Sequence, residues 1–154
     1  MKTVYRHWNS RDLRSVITAM FEYSNNFIAT ALFLKLADQG DGRALNMSKT
    51  RRAFARWVDQ TFGWRDYRIE DGTGLSRGNR LSARQLLEAV NAFTHYRALL
   101  PKQNEQVQAK TGILRGVSCY AGFVKRNGRW EPFSLLINQS VPHNVRRTGG
   151  EPSG

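Results

Sequence analysis

A chain of 154 residues with 40% hydrophobic content can bury one core, and its length alone gives no reason for two domains. Lys and Arg number 24 against 12 Asp and Glu, so the formal charge of +12 favours anionic partners, but the basic residues spread from Lys2 to Arg147 and select none of them. Cys119 is the single cysteine, which excludes an intrachain disulfide and a cysteine-based zinc site, and His7, His95 and His143 lie far apart with no second ligand at metal spacing, so no metal or cofactor is expected.

The opening MKTVYRHWNSRDLRS has a positive start but no apolar run of signal-peptide length, and nothing later reaches the roughly 20 apolar residues that span a bilayer. The sequence as written is therefore expected to carry no signal peptide and no membrane span. From Asp12 to about Ala37 the apolar residues Leu13, Val16, Ile17, Met20 and Phe21, then Ile28, Ala31, Leu32 and Leu36, recur at helical spacing. Ser24-Asn25-Asn26 sits between them, and such residues favour caps and turns, so two helices are expected to meet there.

QGDGRAL, from Gln39 to Leu45, is a loop. Ser48 is placed to cap a helix running to about Thr61, with Phe54, Trp57 and Val58 inward, and Phe62-Gly63-Trp64 ends it. Residues 68–81 are rich in glycine and turn formers and read as irregular. Ser82 caps the next helix, through Leu86, Leu87, Val90 and Phe93 to about Tyr96.

After Pro101 the period becomes two. Val107 to Leu114 reads as a first strand, and Val117, Cys119, Ala121 and Phe123 alternate along a second. Asn127-Gly128 signals a type I′ hairpin, since both residues tolerate positive φ. Phe133, Leu135 and Ile137 alternate on a third strand, where Pro132 is confined to the beginning or to a sheet edge. Residues 140–154 have little apolar content and are expected to be a disordered tail. The fold class is α+β, helices followed by a three-stranded antiparallel sheet whose apolar face the helices cover.

Two short elements carry chemistry only in combination: Ser24-Asn25-Asn26 at a helix start and Lys110-Thr111-Gly112 on a strand. Alone, the first is an ordinary cap and the second an ordinary strand end. Together they give two of the three motifs S-x-x-K, S-D-N and K-T-G that penicillin-binding proteins use, in the right order. Between them Asp71-Gly72-Thr73-Gly74-Leu75-Ser76-Arg77, Asn79-Arg80 and Ser82-Ala83 resemble the DGSGLSR-x-N-R-x-SA stretch of the D-Ala-D-Ala carboxypeptidase family S13. AKTGILRGVSCYAGFV and GRWEPFSLLIN resemble that family's AKTGTL and FSLLVN segments, and the likeness covers most of residues 10–139.

The resemblance implies a partial penicillin-binding (transpeptidase-like) domain over residues 1–139, ahead of the 140–154 tail, acting as a serine-type carboxypeptidase or endopeptidase on peptidoglycan stem peptides in the periplasm. It implies that Ser24 relays a proton to the leaving amine and that Asn26 bonds the substrate's peptide amide. Lys110 would supply a cation near Ser24 and the substrate carboxylate, and Thr111 would bond that carboxylate. Gly112 would leave room for a peptide laid along the strand, and the Ile113 N–H would form half of an oxyanion hole.

Three departures qualify the resemblance. No serine in the 154 residues is followed three positions on by lysine, so the S-x-x-K nucleophile is expected to be missing because the chain starts too late. Ile113 stands where the family has Thr or Ser, a loss of about 0.5–1.5 kcal/mol of recognition, or up to about 3 toward a charged group. Finally, the family's sheet continues with strands from the N-terminal half and is covered by a C-terminal helix, for which the last fifteen residues show no pattern.

The expectation is therefore a fragment that neither hydrolyses D-Ala-D-Ala nor is acylated by a β-lactam unless an upstream-encoded N-terminal half supplies the nucleophile. A non-catalytic peptidoglycan-binding module is the alternative. A basic nucleic-acid binder, prompted by Trp57, Trp64 and Tyr67 among arginines, ranks well behind, because ARWVDQTFGWRDYR matches no nucleic-acid motif. Cys119 reads as core, and the adjacent Glu70 and Asp71 point apart on an extended segment, so they make no facing acid pair.

Overall fold

The structure, a computed structural model, describes residues 10–38, 40 and 44–139; the expected tail at 140–154 lies outside them. Backbone contacts divide the chain into two compact units, Met1–Leu81 and Ser82–Gly154.

The first unit is helical. α1 (Leu13–Tyr23) starts at Asp12, whose carboxylate accepts the Ser15 N–H, and α2 (Asn26–Lys35) follows after two residues. α3 (Met47–Phe62) is capped by Asn46, which accepts the Lys49 N–H. The cap is thus two residues earlier than Ser48, whose hydroxyl instead accepts from Arg52. Gly63 ends α3 in the left-handed conformation, its N–H bonded to the Asp59 carbonyl.

Thr50 and Val58 are the buried residues of α3, and the Thr50 hydroxyl is satisfied by the Asn46 carbonyl. A run of ring contacts passes from Phe33 to Phe54, Trp57, Phe62, Trp64 and Tyr67. Trp57 was expected inward but is 51% exposed, its ring lying between those of Phe54 and Phe62. A broad amphipathic indole can make such edge contacts while keeping half its surface open.

The second unit begins with α4 (Ala83–Ala92), whose Ser82 and Gln85 form a capping box. The α-helix stops four residues before Tyr96 and tightens into a 3₁₀ segment, Thr94–Leu99. Four strands follow rather than three: β1 (Lys102–Asn104), β2 (Val107–Leu114), β3 (Val117–Arg126) and β4 (Arg129–Ile137), antiparallel in that spatial order. β1 escapes a reading based on alternation because its three residues, Lys102, Gln103 and Asn104, are all polar and exposed. Asn127 and Gly128 turn the β3–β4 hairpin with φ of 49° and 79°, as a type I′ turn requires.

Cross-strand pairs share a face, so Gln108, Phe123 and Pro132 form one row, Lys110, Ala121 and Ser134 the next, and Gly112, Cys119 and Leu136 a third. α4 and the 3₁₀ segment pack on this face: the Ser134 hydroxyl donates to the Ala83 carbonyl, and Arg97 donates to Gln108 while lying 4.3 Å over the Trp130 ring. Phe123 is fully buried. Pro132 is accommodated because β4 is an edge strand among the described residues.

Candidate functional site

The candidate residues fall into two groups, Ser24 and Asn26 in the helical unit and Lys110 to Ile113 in the sheet unit. In the first group the tripeptide divides its labour. Ser24 ends α1 with φ 50° and ψ 46°, and its N–H bonds the Met20 carbonyl. Asn25 caps α2, its Oδ1 accepting the Ile28 N–H at 3.0 Å. Asn26 is the first residue of α2. The middle residue is thereby spent on structure, while the side chains on either side stand exposed. A left-handed serine costs about 1–2 kcal/mol that glycine would not, so the position keeps a side chain at the expense of backbone comfort.

The sequence reading did not anticipate what lies against α2. Asp71 is the hub of the 71–79 loop: its Oδ1 accepts the N–H groups of Thr73 and Gly74, the Thr73 hydroxyl and the Asn79 amide, and its Oδ2 accepts the Ser76 N–H. Burial by itself raises the Asp71 pKa, but these donors outweigh it and hold the carboxylate below its usual range. Glu70 turns instead to Arg51 and Arg68. Gly72, next in the loop, lies against α2 so closely that a β-carbon there would be 2.6 Å from Phe33 Cβ and 3.0 Å from the Ala29 carbonyl oxygen. The glycine-rich stretch therefore props the helix that Asn25 caps. The only sequence signal for this was the resemblance of the DGTG segment.

In the second group the ladder sets the chemistry. β1 pairs with β2 only at Val107 and Gln108, so Lys110 to Leu114 bond β3 on one side and have no strand on the other among the described residues. The Ala109 N–H points to the β1 side, where it donates to the Pro101 carbonyl. Strand alternation then directs the N–H groups of Thr111 and Ile113 to that same side, where no strand pairs with them. Their side chains lie on one face of the sheet and those of Lys110 and Cys119 on the other.

Lys110 Nζ donates to the Thr111 carbonyl at 2.7 Å. Burial lowers its pKa below the ordinary lysine value, with the neighbouring Cys119 pulling the other way. Burial also raises the Cys119 thiol, in keeping with a packing role rather than a nucleophilic one. Gly112 contrasts with Gly72: an added β-carbon would sit 3.5 Å from Cys119 Cβ, an ordinary contact, so the fold does not require glycine there. Ile113 is 58% exposed. Among the described residues no cluster of His, Cys, Asp or Glu has metal-site geometry, and no helix is long and apolar enough to cross a membrane.

Haemophilus influenzae penicillin-binding protein 4 (dacB) aligns over 83% of this chain and 34% of its own, with TM-score 0.72 and 23% identity. The same protein complexed with a β-lactam gives a TM-score of 0.71 at 23% identity over 80% and 34%. The Bdellovibrio bacteriovorus predatory endopeptidase Bd0816, complexed with immunity protein Bd3460, gives 0.63 at 17% identity over 89% and 38%. These likenesses establish a shared fold, and the chain spans little more than a third of the length of those proteins. Among curated protein sequences no significant match is found. The model of the D-Ala-D-Ala carboxypeptidase 3 (S13) family matches residues 2–102, which include Ser24, Asn26 and the Asp71 loop and stop short of Lys110. By that match over more than half its length, the chain belongs to the D-Ala-D-Ala carboxypeptidase 3 (S13) family.

Proposed function

We propose that this chain forms the proton-relay and substrate-anchoring parts of a serine acyl-transfer site that acts outside the cytoplasm on peptidoglycan stem peptides ending in D-Ala-D-Ala. The observation that carries the proposal is the side of β2 beside Lys110 that pairs with no strand among the described residues, where the N–H groups of Thr111 and Ile113 point at the place a peptide strand would occupy. In this reading residues 1–139 make up the penicillin-binding part and residues 140–154 a tail.

Acyl transfer needs a hydroxyl to attack the scissile carbonyl, donors for the oxyanion, and a proton for the leaving amine. Ile113 N–H is one oxyanion donor. Thr111 and Lys110 hold the terminal carboxylate, whose charge also favours the protonated lysine. Ser24 passes the proton to the amine of the departing D-Ala, and Asn26 bonds the peptide amide behind the scissile bond. The nucleophile belongs to polypeptide outside the 154 residues, since no S-x-x-K occurs within them. Alone, the chain binds without turnover, and β-lactams, which resemble the same peptide, bind it without acylating it.

The test is an amide-resolved NMR titration of the chain with a peptide ending in D-Ala-D-Ala and with the same peptide ending in L-Ala-L-Ala. Shifts concentrated at Thr111, Gly112 and Ile113 with the D-peptide alone are expected. An absence of shifts at β2, or equal response to both peptides, would overturn the assignment.

A further inference from the structure

We propose that the cleft between α3 and residues 67–70 binds a phosphate monoester carried on an apolar body. This site lies within the helical unit and is built from none of the candidate residues described above.

The sequence sets three arginines here and leaves a gap among them. Arg51 and Arg52 project from α3 about 100° apart, and Ala55, one turn on, falls between them in angle. Its methyl group fills little of the space that the two long side chains flank, and a cleft of about 380 Å³ opens there. The facing wall is the extended segment 67–70, tied to Arg80 by backbone bonds of 2.8 and 2.7 Å between Arg68 and Arg80. The Tyr67 hydroxyl crosses to α3 and donates to the Ala55 carbonyl at 3.3 Å, which joins the two walls. Phe54 and Ile69, both half-buried, add apolar lining.

Arg68 and Glu70, two positions apart on the extended segment, share a side. The Glu70 carboxylate is 17% exposed; one of its oxygens accepts from Arg68 Nε and the other from Arg51 Nη1. One carboxylate thus holds two guanidinium groups side by side, and each spends on it one of five N–H donors. Arg52 adds a third cation, whose Nη1 donates to the neutral Ser48 hydroxyl. Three positive charges against one negative leave the lining at +2.

An arginine on an open surface loses side-chain freedom when it captures an anion. Arg51 and Arg68 have already given it up to Glu70. The glutamate is therefore a brace, which neutralises one charge and preorganises two planar forks for the oxygens of an anion. An excess of two charges matches a dianion, and a phosphate monoester is close to one at neutral pH. A carboxylate, a sulfate ester or the diester phosphate of a nucleic acid carries a single charge and leaves the other unmatched. Phe54, Ala55 and Ile69 in the same cleft favour an ester with an organic body over the free inorganic ion. A soluble phosphate ester and the head of a monoester phospholipid share this chemistry.

The test titrates the full chain with n-hexyl phosphate at mildly alkaline pH and follows backbone amides by NMR. Shifts should gather at residues 51–55 and 67–70 and leave 107–114 unchanged. n-Hexyl sulfate has the same shape with one charge, and inorganic phosphate has the charge without the body; each should bind about tenfold more weakly. Arg52→Gln and Arg68→Gln should each weaken hexyl phosphate by about tenfold. Arg56→Gln, one turn along α3 from Arg52 but outside the cleft, should change it by less than about twofold. Arg52 is exposed and takes no part in the Glu70 brace, so its variant keeps the fold and the test intact.

Sedimentation with vesicles containing phosphatidic acid separates the two sources. Pelleting that Arg52→Gln abolishes and Arg56→Gln preserves supports the site and assigns the lipid head, whereas hexyl phosphate binding without pelleting supports it and assigns a soluble ester. The proposal is overturned by an absence of shifts at the cleft or by equal affinity for hexyl sulfate and hexyl phosphate. Equal losses from Arg52→Gln and Arg56→Gln would also overturn it, since they would mean general charge attraction without a site. None of these readouts involves β2 or the nucleophile, so this inference and the functional reading stand or fall separately.

Discussion

The two groups of candidate residues are held in place by different physics. Lys110 to Ile113 lie on one continuous strand, and the ladder to β3 fixes their alternation residue by residue. Ser24 and Asn26 lie at a break between two short helices, positioned by a strained backbone and by a loop about fifty residues further along the chain. The strand half is local and tolerant. The turn half depends on a close approach that a single methyl group disturbs. In each half a glycine marks the difference, because Gly72 is demanded by the fold and Gly112 is free of it.

The change that should break this contrast most sharply is Asp71→Ala, which leaves the N–H groups of Thr73, Gly74 and Ser76 without their acceptor and should cost about 3 kcal/mol in the helical unit. Urea melts followed by exchange of amides 13–36 against those of 107–137 would register it. The same carboxylate predicts a pH dependence. Its folded pKa is depressed, so its stabilisation is fully present above the unfolded carboxylate value and is lost as pH falls through the folded one. The Asp71→Ala variant should lack that acid-side loss.

Gly72→Ala comes next, at about 2 kcal/mol, because its new carbon meets Phe33 Cβ and a backbone carbonyl, neither of which can swing aside. A smaller effect of opposite sign is expected for Ser24→Gly, which relieves the left-handed conformation and should stabilise by about 1 kcal/mol while abolishing the proposed proton relay. Smallest is Gly112→Ala, neutral or stabilising by about 0.5 kcal/mol, yet expected to weaken D-Ala-D-Ala binding by crowding the strand. Thermal melts check both, and loss of stability in the Gly112 variant would erase the distinction between the two glycines.

How much of this was legible in the sequence follows the same division. Periodicity gave the helices on either side of Ser24, the Asn127-Gly128 hairpin and strands β2 to β4, since each rests on local pattern or turn chemistry. The cap of α3 was misplaced because Asn46 and Ser48 are both good N-caps and sequence alone does not rank two so close together. β1 carries no apolar alternation to detect. The propping of α2 by Gly72 and the role of Asp71 are contacts between distant residues, invisible to spacing and hinted at only by the family-like DGTG segment. The candidate residues themselves were found by motif, and the structure added the unpaired side of β2 and the strained serine.

The central claim, that these residues anchor substrate while the nucleophile lies elsewhere, is tested most directly by incubating the purified chain with a fluorescent penicillin and reading intact masses, with and without the upstream-encoded polypeptide. The account predicts no adduct on this chain in either case and, with the partner present, an adduct on the partner's serine. A stable penicilloyl adduct on any serine of this chain would contradict it.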